Sequence, residues 1–197
     1  MSEFMDEKII DLKRYKEKQK HDMLERGIFI GEEYYKFHTV ALYDDTVSIT
    51  LPEAFVDMPP NIAKFKYPSE TRPQIIKTSL DTKVNFMFNL YNVPIDNSKV
   101  GEAAKEFRSV LKKVNPSTQF FSFEEMEIGQ KTLAWFDFKS NAIDAQLYNI
   151  IYCTPIDGKV FQGFFNCLFP DANDWRPVVL EILSTIQELK EVGGIKQ

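Results

Sequence analysis

Cys153 and Cys167 are the only two cysteines of the chain, and both lie in its most apolar stretch, YNIIYCTPIDGKVFQGFFNCLFPD (148–171). Two thiols can make a disulfide, a redox couple or half of a zinc site, so their spacing decides what they do. Asp157-Gly158, at the centre of the stretch, is a strong signal for a two-residue hairpin loop. That loop pairs Cys153 with Gln162 and Cys167 with Tyr148. At ~3.3 Å per strand residue the thiols then sit about 17 Å apart and on opposite sheet faces, whereas a disulfide needs Cα atoms within about 7 Å. Both cysteines are expected to be small packing residues.

The other chemistry-bearing residues give no active-site pattern. His21 and His38 have no second His or Cys at metal-ligand spacing, which leaves no zinc motif. Gly27/Gly31 and Gly193/Gly194 lack the spacing of a phosphate or dinucleotide loop, and there is no G-x-S-x-G elbow. In a strand, Glu125 and Glu127 share one face while Glu124 points the other way, so a solvated strand edge is expected there rather than a divalent-cation site. Asp44-Asp45 reads as a turn. No catalytic, cofactor-binding or metal-binding residue is expected, and the chain is not expected to be an enzyme.

Charge narrows the partners. The formal net charge is −5 over 197 residues, and no basic stripe of the kind nucleic acid requires is present. No window approaches the ~18 apolar residues of a membrane span, so no membrane insertion is expected. The N-terminus has no apolar signal-peptide stretch, which makes the cytoplasm the expected location.

These residues must be positioned by a fold that the pattern outlines. Residues 1–26 mix basic and acidic side chains and read as a charged N-terminal helix or arm; residues 27–197 read as a single α+β domain. Strands EYYKFHTVALY (33–43) and TVSITL (46–51) flank Asp44-Asp45 as a hairpin. The prolines at 52, 59 and 60 mark 52–73 as a surface crossover. PQIIKTSL and KVNFMFNL form a second hairpin, with Val84, Phe86, Phe88 and Leu90 at period two. A helix follows in SKVGEAAKEFRSVLKKVN, with Val100, Ala103, Ala104, Phe107, Val110, Leu111 and Val114 on one face and Asn97 or Ser98 as its cap. QFFSFEEMEI and TLAWFDF meet at Gly129-Gln130, the cysteine hairpin comes next, and a helix from about 174 to 192 closes the chain. Consecutive hairpins with interspersed helices predict an antiparallel sheet flanked by helices.

VSITLPEAFVDM (47–58) resembles the opening of PsbP-like domains, with its strand, Leu-Pro break, and aromatic and Asp in the next turn. DWRPVVLEILSTI resembles their C-terminal helix after a long hairpin. The resemblance spans about residues 33 to 192 and implies a PsbP-like sandwich, the fold of PsbP, the Ran-binding Mog proteins, DcrB-type proteins and the Eag chaperones of secretion effectors. It implies protein binding and carries over no catalytic residue.

The expected function is a non-enzymatic cytoplasmic protein-binding module, an adaptor or chaperone for a secretion-system effector or assembly component. The alternative is a small apolar ligand or lipid in a cavity between sheet and helices. Aromatics are enriched at interface cores, and the candidate contacts are Ile151, Phe164, Phe86, Phe88, Trp135, Phe136, Phe138 and Tyr152. Strand alternation assigns about half of them to ordinary core. An aromatic sheet with an appended arm would also suit a symmetric homodimer.

Overall fold

The computed structural model describes residues 24–70, 72–142 and 144–189. The charged arm expected over residues 1–26 lies outside them except for 24–26, where Leu24 is buried in the main core. The first strands are β1 (Ile28–Ile30), β2 (Glu33–Tyr35), β3 (Phe37–Leu42) and β4 (Val47–Pro52), so the stretch 33–43 is two strands rather than one. β3 and β4 are antiparallel, and Asp44 and Asp45 take the left-handed conformation at their turn, with φ of 50° and 61°. The crossover contains the two-residue β5 (Val56–Asp57) and a helix that periodicity did not disclose, α1 (Pro60–Lys66), with proline in its first turn, where no backbone N–H is missed.

β6 (Ile75–Thr78) and β7 (Asn85–Pro94) form the second hairpin. Helix α2 (Val100–Val114) begins after a short 3-10 turn. Its entry is capped not by Asn97 or Ser98 but by Asp96, whose carboxylate accepts from the backbone N–H and the hydroxyl of Ser98. β8 (Gln119–Ile128), β9 (Lys131–Asn141), β10 (Gln146–Ile156) and β11 (Lys159–Leu168) follow as antiparallel neighbours. Helix α3 (Ala172–Ser184) is shorter than its apolar period predicts. The Ser184 and Thr185 hydroxyls fold back on the carbonyls of Glu181 and Ile182, and the Thr185 oxygen accepts from the Thr50 amide. Residues beyond it pair with β4 as β12 (Gln187–Glu188) instead of continuing the helix.

Seven strands form one sheet in the order β5-β6-β7-β11-β10-β9-β8, three form another in the order β12-β4-β3, and β1 and β2 pair separately. The register of β10 with β11 is the one that the Asp157-Gly158 loop dictates. It carries across the sheet in rows. On the inner face Phe86, Phe165, Ile150 and Asp137 stand side by side, followed by Phe88, Gly163, Tyr152 and Trp135. On the outer face Asn85, Asn166, Asn149 and Phe138 make one row and Met87, Phe164, Ile151 and Phe136 the next.

The inner face packs on α3 and on the three-stranded sheet through Trp175, Val179, Ile182, Val47, Ile49 and Leu51, all buried in the main core. Each such side chain contributes about 1.5–3 kcal/mol over exposure. Helix α2 lies on the outer face, placing Val100 and Ala104 on Ala134 and Cys153, and Phe107 and Leu111 on Phe136, Phe138 and Ile151. Val110 and Val114, expected on that apolar face, are exposed instead; the clustered contacts of α2 end at Leu111.

Among the described sheet residues, one buried position is charged. Asp137, 1% exposed, accepts from the Ser122 amide at 2.6 Å, the Tyr148 hydroxyl at 2.8 Å and Arg176 Nε at 3.0 Å. The Arg176 guanidinium also lies over the Trp135 ring, 5.2 Å from its centroid. The carboxylate thereby fastens α3 to β10 and to the edge strand β8, whose register is irregular between Phe120 and Phe123.

Two substitutions test this packing. Tyr152 covers Gly163 so closely that a Cβ there would lie 2.0 Å from the tyrosine Cζ. Gly163→Ala is expected to destabilise the fold by about 1–3 kcal/mol, with the loss reduced when Tyr152→Leu is added; denaturant unfolding of the two variants and their combination measures both effects. Asp137→Ala is expected to cost about 3–5 kcal/mol, because it leaves a partly buried guanidinium and two further donors without their acceptor. In the same assay Asp137→Asn, which keeps an acceptor oxygen, should lose less.

Candidate functional site

The outer face is covered from two sides and left open between them. Helix α2 reaches it from one side, and Tyr67 and Ile62 pack on Met87, Ile76 and Phe164 from the other. The gap is a groove of about 610 Å³. Its apolar surface is made by Met87, Leu111, Phe138, Ile151 and Phe164, with Tyr67, Pro68 and Pro73 forming the crossover wall. Phe164 is half-buried and bridges the two clusters on either side.

The polar lining follows from the row of asparagines. The Thr82 carbonyl accepts from the Lys66 ammonium and from Asn85 Nδ2. A carbonyl can only accept, so Asn85 must present its nitrogen there and its oxygen to Thr78 Oγ1, 2.7 Å away. The same Asn85 nitrogen donates to Asn166 Oδ1 at 2.8 Å, which turns Asn166 Nδ2 toward the Tyr67 hydroxyl at 3.3 Å. Asn149 points Nδ2 at the carbonyls of Phe138 and Leu147 and at Ser140 Oγ. Burial pushes the Tyr67 hydroxyl up from its ordinary pKa, against the opposing donation from Asn166, so it remains protonated.

The charges are one-sided. Lys66 and Arg72 line the groove and no Asp or Glu does, although the chain has 29 acidic residues against 24 basic ones. A second cleft, of about 590 Å³, has the opposite character: Glu32, Glu33, Asp81, Asp171 and Asp174 border it, with Lys83 as its one lining cation. Among the described residues no group of three or more His, Cys, Asp or Glu side chains is placed to hold a metal ion, and no helix is long and apolar enough to cross a membrane.

The eight aromatic and aliphatic residues singled out in the sequence divide by strand parity. Phe86, Phe88, Trp135 and Tyr152 belong to the buried inner core. Phe136, Phe138, Ile151 and Phe164 share the outer face, and the last three line the groove. Tyr67, Lys66, Arg72 and Leu111 were not singled out. The signal for the first three was Pro60 at the start of a short helix, which places the residues after it at one wall of the sheet. The two cysteines lie where the hairpin register puts them, buried and unpaired, Cys153 against α2 and Cys167 in the inner core.

No protein-family model matches the sequence, and no curated protein matches it significantly. Among solved structures the chain is similar to cyanobacterial PsbP (CyanoP) from Synechocystis, at 8% identity and a TM-score of 0.58, over 82% of this chain and 98% of that one. The fold is PsbP-like. A similar match is LpqN of Mycobacterium tuberculosis, described as involved in cell envelope biogenesis, at 13% identity and a TM-score of 0.52, over 82% of this chain and 95% of that one. A Bacteroides thetaiotaomicron protein matches at 14% identity and a TM-score of 0.50, over 78% of this chain but 48% of its own length. At these identities the likeness establishes the PsbP-like sandwich and its antiparallel sheet, flanked by helices as the sequence predicts.

Burial sets the reactivity of the thiols in this PsbP-like core. It pushes Cys153 up to about 12 and raises Cys167 as well, with the Asp171 charge adding to the effect. Only thiolates alkylate readily. The native protein is therefore expected to resist iodoacetamide at mildly alkaline pH and to take two adducts after denaturation, as counted by intact-mass measurement.

Proposed function

We propose that the protein is a non-enzymatic binding module, an adaptor or chaperone that holds an apolar segment of another protein in the outer-face groove. The observation that carries this reading is the groove between α2 and the crossover wall, where Phe164 stays half-buried between the buried Met87 and Ile151. Helix α2 covers Ile151 from one side and the crossover covers Met87 from the other, which leaves Phe164 as the partly exposed member of the row. Val110 and Val114 on the same helix are exposed as well. Two reduced, buried thiols suit the reducing cytoplasm.

The volume of the groove favours a second reading. About 610 Å³ falls within the range of roughly 300–1,000 Å³ that small-molecule sites occupy, which suits a small apolar ligand or lipid. Native mass spectrometry separates the two: the gently purified chain should show its own mass under the first reading and a reproducible stoichiometric addition under the second.

Leu111→Glu tests the groove itself. Leu111 is half-buried on a helix that tolerates glutamate, so the variant should fold, as checked by circular dichroism and thermal unfolding. Capture of the native partner, quantified by mass spectrometry against the unmodified chain, should fall at least about tenfold if Leu111 belongs to a binding hot spot. Equal recovery of every captured protein by both chains would overturn the assignment of function to this groove.

A further inference from the structure

We infer that the groove recognises the free C-terminal carboxylate of an apolar peptide segment. This rests on the reading of the groove as the binding face for another protein and specifies which part of that protein it takes. The first observation is charge. Lys66 and Arg72 line the groove and no acidic residue does; Asp81 and Asp144 act on Lys66 from outside the lining, and neither cation takes part in an ion pair among the described residues: Lys66 donates to the Thr82 carbonyl and Arg72 Nε to the Ser69 carbonyl at 3.3 Å. No described residue bonds the Arg72 Nη groups, which can make the forked contact that guanidinium offers a carboxylate.

The second observation is the direction of the hydrogen-bond chain. The Thr82 carbonyl fixes Asn85, Asn85 fixes Asn166, and Asn166 Nδ2 must donate to the Tyr67 oxygen. The proton of the Tyr67 hydroxyl has no acceptor among the described residues, so the chain ends at the groove wall in a donor that adjoins Lys66 in sequence. Three donors, the ammonium, the phenol and the guanidinium, thus belong to the same wall.

The third observation distinguishes a peptide from a simple fatty acid. Asn149 spends Nδ2 on Phe138, Ser140 and Leu147, and its Oδ1 accepts from no described residue. This groove-lining amide oxygen is open to a donor, and a peptide N–H supplies one where a fatty acid does not. Asn149 and Asn166 are register partners on adjacent strands, about 5 Å apart; consecutive peptide Cα atoms lie about 3.8 Å apart. A terminal carboxylate at Tyr67 and Asn166 therefore brings a nearby peptide N–H within reach of Asn149, while apolar side chains settle on Met87, Ile151 and Phe164.

The test uses the full chain and a fluorescein-labelled hexapeptide ending in Leu-Ile-Phe, as the free acid and as the C-terminal amide, in fluorescence anisotropy at low salt. The acid is expected to bind about tenfold more tightly than the amide, the size of one charge-assisted hydrogen bond. Tyr67→Phe, which keeps the ring and loses the donor, should weaken the acid more than the amide, and Arg72→Gln should reduce the salt dependence while Lys66 keeps the remainder. Equal affinity for acid and amide, with both lost in Leu111→Glu, would overturn the carboxylate inference and leave the groove as a binding face. Failure of both peptides to bind the folded chain would overturn this inference whatever the capture experiment shows. Dodecanoate displacing the acid peptide at lower concentration than the peptide itself binds would overturn the choice of a peptide in favour of a free apolar carboxylate.

Discussion

A two-residue loop sets the parity on which both the core and the groove depend. Asp157 and Gly158 take φ of 52° and 66°, the left-handed pair that matches the twist of a tight hairpin. Because side chains alternate at period two, shifting the pairing by one residue would exchange every inward side chain for an outward one. Phe161 and Phe165 would leave the core, and Asn166 and Gln162 would enter it. The adjoining strands β7 and β9 take their register from this hairpin. The asparagine row and the apolar row of the outer face are therefore consequences of where one turn falls.

Against that frame, Asp137 is the costly element. Removing a carboxylate from water is unfavourable by several kcal/mol unless it is well partnered, and this one has three donors from three separate elements. A hydrophobic residue there would pack against the same helix without fixing its rotation. The charge instead sets where α3 sits along the sheet, since Arg176 must reach Asp137 while Trp175, Val178 and Ile182 remain in the core. The raised pKa of the Tyr148 hydroxyl, due first to burial and then to its donation to Asp137, reflects the same dry site.

Much of this was legible in the sequence where a local rule governs. The turn dipeptides at 44–45, 129–130 and 157–158, the alternation in β7 and the separation of the cysteines all follow from chirality and strand geometry. Legibility failed where a distant partner decides. The run Ile182, Leu183, Ile186 keeps helical spacing, yet the chain leaves the helix at Thr185 because Thr50 offers an amide and β4 an edge. Val110 and Val114 match the apolar face of α2, but only their distance from the sheet determines exposure. Parity showed that half of the eight aromatic and aliphatic candidates must be core, and the sheet order was needed to say which half. The Tyr67 wall depends on how a proline-rich crossover folds over the sheet, which no periodic pattern records.

The edge strand β8 carries a further consequence. Its irregular stretch turns the Ser122 amide inward to Asp137, and Glu124, Glu125 and Glu127 place three like charges along the remaining length. The opposite edge, β5, is only two residues long. A sheet this wide and this aromatic would be a ready template for added strands at an unguarded border. Here the carboxylate that anchors α3 also withdraws an amide from the open ladder, so the group that completes the fold limits the sheet's growth from one molecule to the next.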